Sequence, residues 1–531
     1  MTQQTFRIEG LRPGTGGSPG RRSHRMRAVG LTAVAVAAAV VLAGCGSSGG
    51  TGSGTSGSST ASGSGGSASS SGAGGSASGS SASGAGSGSA SGSGSGAASG
   101  STSGSASGAA SGSASGSASG SASGGSAPQT IAEPTSPVTI TFMEAMSSGS
   151  QKTALAKMVK DFHAAHPNIT VTLQEQPDYG TLYTKISAAA AAGNPPTIAQ
   201  VYEEWAAELA ANDVITPLTS YASKAELGAF YPGIRSDLYL PDGKLWMWPF
   251  NKSVVIQYYN QNLLTAAGIN SAPTTWAEFA TDAKKVSKGK VVAISIDPGS
   301  SSGPQGGTAW YEILAQSFGT PVFAKDGTPQ FTSKAAVQAL QYLVDLKKAG
   351  ALATGTNYPG QTALGAQTGV WDISSVASYP YNLAAVGKKF TMGTAALPKG
   401  TAGPANQLAG TNIAMFASAS KAQQDAAWIF LQFLTSPKEQ AYWASQTGYL
   451  PLGPAALQQP DLQNYVKDHP YVTFASKDLS FATGLPPYSW VTKASGDLAE
   501  GLQAALNGSK SPQDALADAQ SQAMKDKQAA G

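Results

Sequence analysis

Alternating strand-like and helix-like segments over residues 138–531 predict an α/β fold, with open sheets carrying helices on both faces. Three observations lead there. Short apolar runs are each followed by an amphipathic stretch of helical period. Several of those stretches open on sequences that cap a helix. The segment holds roughly 390 residues, enough for two lobes with separate cores.

The elements follow in chain order. Val138–Met143 reads as a buried strand. In Gln151–Ala165, Leu155, Met158, Val159 and Phe162 recur at helical spacing, while Lys157, Lys160 and Asp161 face outward. His166-Pro167 ends that helix, because the residue before proline is pushed out of the helical region. Ile169–Leu173 is a second strand, and Tyr179–Ala192 an Ala-rich helix closed by Gly193-Asn194-Pro195-Pro196. Thr197–Tyr202 is a third strand and Glu203–Ala211 a third helix. Thr275-Trp276-Ala277-Glu278 and Ser436-Pro437-Lys438-Glu439 both fit a capping box, the second with proline at the first helical position. Val291–Ile296 is strand-like, and Lys334–Lys348, Ala422–Leu434 and the tail from Ala494 read as helices.

The N-terminal quarter is of a different kind. Arg21, Arg22, Arg25 and Arg27 precede an apolar run from Ala28 to Leu42, too short and too Ala-rich for a stable membrane span, so the pattern is that of a secretory signal. Leu42-Ala43-Gly44-Cys45 looks like a bacterial lipobox, in which the cysteine takes a diacylglycerol and becomes the first residue after cleavage. Cys45 is the only cysteine, so no disulfide is available to this exported chain. Residues 46 to about 130 are Ser, Gly, Ala and Thr in near repeats. Such a segment buries too little to offset its chain entropy, and about 85 residues of Gly/Ser coil span on the order of 50 Å. It reads as a tether. Without the signal the chain carries 27 basic and 29 acidic side chains and one arginine, Arg235, which leaves no electrostatic footprint for nucleic acid.

Candidate chemistry is sparse. Gly299-Ser300-Ser301-Ser302-Gly303 matches a nucleophile elbow, but Pro304-Gln305-Gly306-Gly307 intervenes where the helix must begin; a polar loop accounts for it better. His163 and His166 share a helix end with no third ligand nearby, so a solvated terminus is the simpler reading and no metal is expected. Glu203-Glu204 are adjacent on a helix and do not face each other. No P-loop, zincin or dinucleotide fingerprint occurs in the folded part, and no cofactor is expected. Aromatic and hydroxyl side chains gather instead in 200–205, 245–253, 371–375 and 447–451, the composition of a polar small-molecule cleft.

At these stretches the chain resembles the extracellular solute-binding proteins of ABC importers, family 1, and within it the glycerol-3-phosphate and sugar binders. The pieces are Gly193-Asn194-Pro195-Pro196 with Gln200-Val201-Tyr202-Glu203, Pro249-Phe250-Asn251-Lys252-Ser253 with Tyr258-Tyr259-Asn260, Ala266-Ala267-Gly268-Ile269, Thr275-Trp276, Thr447-Gly448-Tyr449-Leu450-Pro451 and Ser511-Pro512-Gln513, in that order. The resemblance implies a periplasmic-binding-protein-like fold: two α/β lobes, a hinge and an interlobe ligand cleft. Crossings are then expected near Pro249–Ser253, Leu408 and Tyr449. Segment 1–44 would be the lipoprotein signal peptide, 45–130 the lipidated Cys45 and linker, 138–250 plus 408–447 the first lobe, and 251–407 plus 448–531 the second. By position it implies ligand contacts from Tyr179, Glu203, Ser253, Trp276, Ser374 (with Ser375), Gly410 and Tyr449. It implies a non-enzyme, a monomer anchored at the outer face of a bacterial membrane, with an ABC permease as partner. One departure bears on the ligand: the glycerophosphate binder uses a late arginine for phosphate, and none lies beyond Arg235, although Lys493 or helix-terminal amides could substitute. Met143-Glu144-Ala145-Met146 adds a carboxylate that would repel phosphate. A neutral sugar or polyol is therefore expected, with a glycerophosphoryl compound as the alternative. A glycoside-processing enzyme is the contrasting class; it would need Glu203 facing Asp372 or Glu144 at about 5–10 Å.

Overall fold

A computed structural model describes residues 131–299 and 307–530. The secretory signal, Cys45, the linker and the Ser300–Gly303 part of the elbow-like loop lie outside the described residues. Among the described residues no helix is long and apolar enough to cross a membrane.

Two sheets organise the chain. The first contains β1 (Val138–Glu144), β2 (Ile169–Glu175), β3 (Ile198–Val201), β4 (Ile215–Thr216), β5 (Trp248–Pro249) and β11 (Asn412–Phe416), in the order β2-β1-β3-β11-β4, with β5 also on β11. The second contains β6 (Val255–Asn260), β7 (Val292–Ile296), β8 (Leu352–Thr354), β9 (Gly369–Ser375) and β10 (Met392–Ala395), in the order β10-β6-β9-β7-β8. β2, β1 and β3 run parallel and are joined by the helices Gly149–Ala165 and Tyr179–Ala191, the right setting for a site at the strands' carboxyl ends. β11 returns antiparallel beside β3. Its residues Asn412–Phe416 are all buried, with no alternation to betray a strand in the sequence.

The helix starts follow their chemistry. Thr275 and Glu278 form both arms of a capping box. At Ser436 only the forward arm forms, to the Glu439 amide, with Pro437 at the first helical position. The tail from Ala494 is two helices, Trp490–Leu506 and Pro512–Ala529, packed on one another.

Two cores form, the larger on the first sheet but also taking in Ile256 and Tyr258 of β6 with Leu364, Val376 and Val386, the smaller on the second sheet. Phe142, Phe162, Phe250, Trp248, Trp428 and Trp443 lie in the first; Trp276, Phe279, Trp310, Trp371 and Leu343 lie in the second. The stretch from residue 448, expected to belong to the second lobe throughout, divides between them. Leu450, Leu452, Tyr471, Val472, Leu479 and Ala482 pack in the first core, whereas Val491, Leu498, Leu502, Leu516 and Ala523 pack in the second. Within that stretch the packing changes from the first core to the second after Ala482. The apolar face of Tyr471–Asp478 packs in the first core, and Tyr471 also stacks on Tyr379, which follows β9 of the second sheet.

The passing segments lie side by side. Ser253 and Ala409 exchange both backbone hydrogen bonds at 2.9 Å, the Leu408 amide donates to the Thr483 carbonyl (3.0 Å), and the Leu450 amide donates to that of Lys252 (3.0 Å). Gly410 sits here with φ +85°, and a Cβ on it would stand 1.7 Å from the Asn251 carbonyl oxygen, so only glycine fits.

Candidate functional site

The carboxyl ends of β1 and β3 meet two of the passing segments in a continuous polar floor. Gln200, at the end of β3, accepts the Ala145 amide (2.7 Å) and donates to Thr411 Oγ1 (2.8 Å) and Asn251 Oδ1 (3.1 Å). Asn251 Nδ2 donates to Tyr179 Oη (2.9 Å), which lies 3.3 Å from Tyr449 Oη. Trp443 stacks beneath Tyr449 with nearly parallel rings, and Tyr202 packs against Tyr179 with ring centres 5.3 Å apart. The structure thus brings Tyr179 and Tyr449 together across 270 residues of sequence.

Beside this floor the two glutamates that open the helix Glu203–Ala211 take different roles. Glu203 is buried with Asp237, Lys252 and Asn412. Lys252 Nζ donates to both carboxylates, and Asn412 Nδ2 donates to Glu203 Oε1 (2.8 Å) and Asp237 Oδ2 (3.0 Å). Burial, then Asp237, pushes the Glu203 carboxyl well above the usual range. For Asp237 burial works upward, but Lys252 and hydrogen bonds from Glu203, Lys252 and Asn412 outweigh it and hold the group below that range. The two acids are thus pushed in opposite directions beside one ammonium. Glu204, also buried, has Oε2 without a hydrogen-bond partner. Burial raises its carboxyl to about 7, against the pull of its own helix-start amide.

Glu312 reaches this region from the helix Gly307–Phe318 of the second core. Gln407 Nε2 donates to its Oε2 (2.9 Å), and burial, then Glu204, raises its carboxyl to about 8. The helix Trp490–Leu506 touches both the Glu203 helix and the Gly307 helix, which puts second-core elements against the first at this point. At a second meeting point Tyr381 Oη donates to the Ser148 carbonyl (3.4 Å). Glu144, 1 % exposed at the end of β1, accepts the Met146 amide on one oxygen and leaves the other unpartnered; burial raises it to about 7.

Other expected site residues sit elsewhere. Trp276 is 1 % exposed in the second core, ringed by Phe279, Trp310 and Tyr342, with Nε1 donating to Ser317 Oγ (3.0 Å). Its faces are taken by protein, so it is a core residue here and not a stacking platform. Ser374 is not in a loop: it lies within β9, pairs with Ile256 and donates to Asp372 Oδ2 (2.6 Å). Ser375 caps the turn that follows. Ser253 and Gly410 belong to the paired passing segments, and Glu203 is tied to Lys252 and Asn412. Trp490 is fixed outside the floor by its bond to the Gly327 carbonyl and its stack on Tyr488. Lys493, the candidate phosphate ligand, is paired with Asp526. Asp372 also accepts Asn382 Nδ2 (2.7 Å), so neither it nor Glu203 is free to act as half of a catalytic carboxylate pair. His163 bonds the Ile169 carbonyl and His166 pairs with Glu133; among the described residues no group of three His, Cys, Asp or Glu could hold a metal.

Glu312, Gln407, Asn251 and Thr411 were not singled out from the sequence as site residues. Glu312 lies inside an apolar helix whose periodicity reads as core, and Gln407 in an irregular stretch with no motif. A hollow of about 530 Å³ beside Pro273–Asp282 is a separate feature, lined by none of the groups above.

Residues 157–470 match the family of bacterial extracellular solute-binding proteins. The chain belongs to that family. Among curated relatives, the sn-glycerol-3-phosphate-binding periplasmic protein UgpB of Yersinia pseudotuberculosis is 27 % identical over 389 residues, 65 % of this chain and 84 % of the relative. Among solved structures, UgpB from Mycobacterium tuberculosis in complex with glycerophosphocholine superposes with a TM-score of 0.66 at 20 % identity, covering 75 % of this chain and 99 % of that one. Maltose-bound MalE3 of T. maritima gives 0.64 at 25 % identity, covering 73 % and 99 %. The two sheets are those of the two lobes of a periplasmic-binding-protein-like fold. The family consists of binding proteins, not enzymes.

Proposed function

We propose that the protein is the lipid-anchored receptor of an ABC importer, capturing a sugar or polyol without phosphate between its lobes and passing it to the permease. One observation carries the choice of ligand. Around the floor the buried atoms left without partners are oxygens of Glu144, Glu204 and Gln407, the Tyr202 hydroxyl and the Trp443 indole N–H, while the nearest ammonium, Lys252, is held between Glu203 and Asp237. Hydroxyl groups satisfy such a site; a phosphate meets carboxylates. Tyr179, Tyr202 and Tyr449 supply flat faces for the apolar side of a sugar ring. Residues 138–250 with 412–482 would close against 255–405 with 490–529 by bending at the three paired passing segments. Cys45 and the Ser/Gly tether would hold the receptor, acting as a monomer, at the outer face of the membrane.

The names of the UgpB relatives favour a second reading, a glycerol 3-phosphate or glycerophosphodiester receptor. A thermal-shift screen of the purified protein separates the two, because a ligand that binds only the native state raises the midpoint by mass action. Maltose, cellobiose, their longer oligomers, glycerol and sn-glycerol 3-phosphate form the panel. A shift with neutral oligosaccharides, lost in Tyr449→Ala, supports the sugar receptor. A shift confined to sn-glycerol 3-phosphate replaces it with the second reading.

A further inference from the structure

Resting on the receptor reading, two fully buried asparagines, Asn251 and Asn406, narrow down where the lobes bend. On the first-lobe side Asn251 Oδ1 accepts Gln200 Nε2 (3.1 Å), the Thr411 amide (3.1 Å) and Thr411 Oγ1 (2.6 Å). One side-chain amide thus ties two passing segments to the end of β3. Asn406 does the same on the second-lobe side. There β10 covers the edge of β6 only from Gln257 to Asn260, so the buried Val255 presents an N–H and a C=O beyond the end of its neighbour. The Asn406 side chain answers both: Oδ1 accepts the Val255 amide (3.0 Å), and Nδ2 donates to the Val255 carbonyl (2.8 Å). A peptide group of a further strand would do no more. Nδ2 also donates to Asp478 Oδ2 (2.9 Å), and the Thr483 amide donates to the Asn406 carbonyl (3.3 Å), which catches the third segment as well.

We propose that Asn406 is a positioning residue of the hinge: with Asn251 at the opposite end, it confines the bending that opens and closes the cleft to 252–254 and 407–410. These short stretches are what lies between the two clamps. They pair with each other once, at Ser253 and Ala409, and Gly410 (φ +85°) supplies a left-handed turn among them. The Lys252 ammonium, held by Glu203 and Asp237, belongs to the first-lobe side and shortens the free part further. A hinge works when a few residues absorb the change in φ and ψ while the packed elements at both ends stay rigid. Without Asn406, Val255 loses its partner and two passing segments lose their hold on the second sheet, so the bend spreads into both.

Pulsed electron paramagnetic resonance on the full chain tests this without a ligand. Cys45 is the only cysteine, so in a Cys45→Ser background spin labels at Lys185→Cys and Lys348→Cys, exposed on a helix of each lobe, report the interlobe distance. Asn406→Ala should broaden the distance distribution about twofold, and Asp478→Ala, which frees only the third segment, should broaden it less. The control is Asn382→Ala, which takes an equally buried amide away from Asp372 beside β9. It should lower the melting point and leave the distribution as it was. A distribution as narrow in Asn406→Ala as in the unmodified protein overturns the clamp; if that variant does not fold, the same result in Asp478→Ala does so. Equal broadening in Asn382→Ala overturns it too, because any lost buried amide would then loosen the lobes. None of these results touches the choice of ligand, which stands or falls on the thermal-shift panel.

Discussion

Glu203 and Glu204 are neighbours on one helix, equally buried, and chemically alike, yet one is enclosed by the protein and the other is left open. Glu203 points into a cluster where Lys252, Asp237 and Asn412 answer every charge. Glu204 makes no hydrogen bond to Lys252 or Asn412, and its Oε2 has no partner, so burial raises its carboxyl to about 7. Burial of a polar group is costly unless it is paired, so the two environments have different meanings. The satisfied cluster joins the first lobe (Glu203, Asp237, Asn412) to one of the passing segments (Lys252) and fixes where it starts. The unsatisfied one holds polar capacity for something that comes from outside the chain.

The sharpest test of this contrast is to break each cluster in turn. Lys252→Met leaves Asp237 and Glu203 buried without their ammonium, which should cost about 3–5 kcal/mol of stability. The loss should appear as a lower denaturant midpoint, and adding Asp237→Asn should recover part of it. Glu204→Gln removes a carboxylate whose partner is missing, and should leave the midpoint unchanged or higher at neutral pH. Equal losses from the two variants would abolish the distinction drawn here.

Acidity gives a second, smaller handle. Glu204 and Glu312 titrate in the folded protein at about 7 and about 8, above the ordinary glutamate range. Between those limits the folded state binds more protons than the unfolded one, so stability falls as pH rises. The contribution is complete below the usual carboxylate range and is lost as pH passes through 7 and 8. The groups bearing on Glu204 are Asp237 and Lys252; those bearing on Glu312 are Glu204 and Gln407. Asp237 works the other way: held below its usual value, it stabilises at neutral pH and is lost in acid. Without ligand, the melting temperature should decline on the order of 5 °C from pH 6 to 8.5, and the slope should flatten in Glu312→Gln. A slope unchanged in that variant would mean that Glu312 does not take up a proton in the folded protein over this range.

The same contrast explains what could be read in advance. Helices with strong periodicity or a cap, such as Gly149–Ala165, Lys334–Lys348 and the Thr275 box, were legible because their signals are local. β11 and β9 were not, since strands buried on both faces lose the alternation that marks them. At the site, Tyr179 and Tyr449 were legible through the family pattern and do meet. Trp276 was misjudged, because a tryptophan at a helix start looks the same whether its ring faces a ligand or Phe279 and Trp310. Glu203 was chosen over Glu204 from position alone; which of two adjacent carboxylates finds a lysine is decided by Lys252, 49 residues away. Glu312 and Gln407 acquire meaning only when the second core meets the first.

The polar floor offers the finest test, because it stands between the two extremes. Tyr449 Oη lies 3.3 Å from Tyr179 Oη, a long contact, while Tyr179 keeps a better bond from Asn251 at 2.9 Å. The Tyr449 ring is held by Trp443 and does not depend on its hydroxyl for position. Tyr449→Phe should therefore cost at most about 1 kcal/mol of stability, the net worth of one ordinary hydrogen bond. If the hydroxyl is there for ligand, affinity for the sugar found in the thermal-shift screen should fall by about tenfold in the same variant, the cost of leaving a ligand donor or acceptor unmatched in a closed site. A larger loss of stability than of affinity would place Tyr449 with Glu203 among the groups that hold the passing segments together, and would leave Glu204 as the open side of the site.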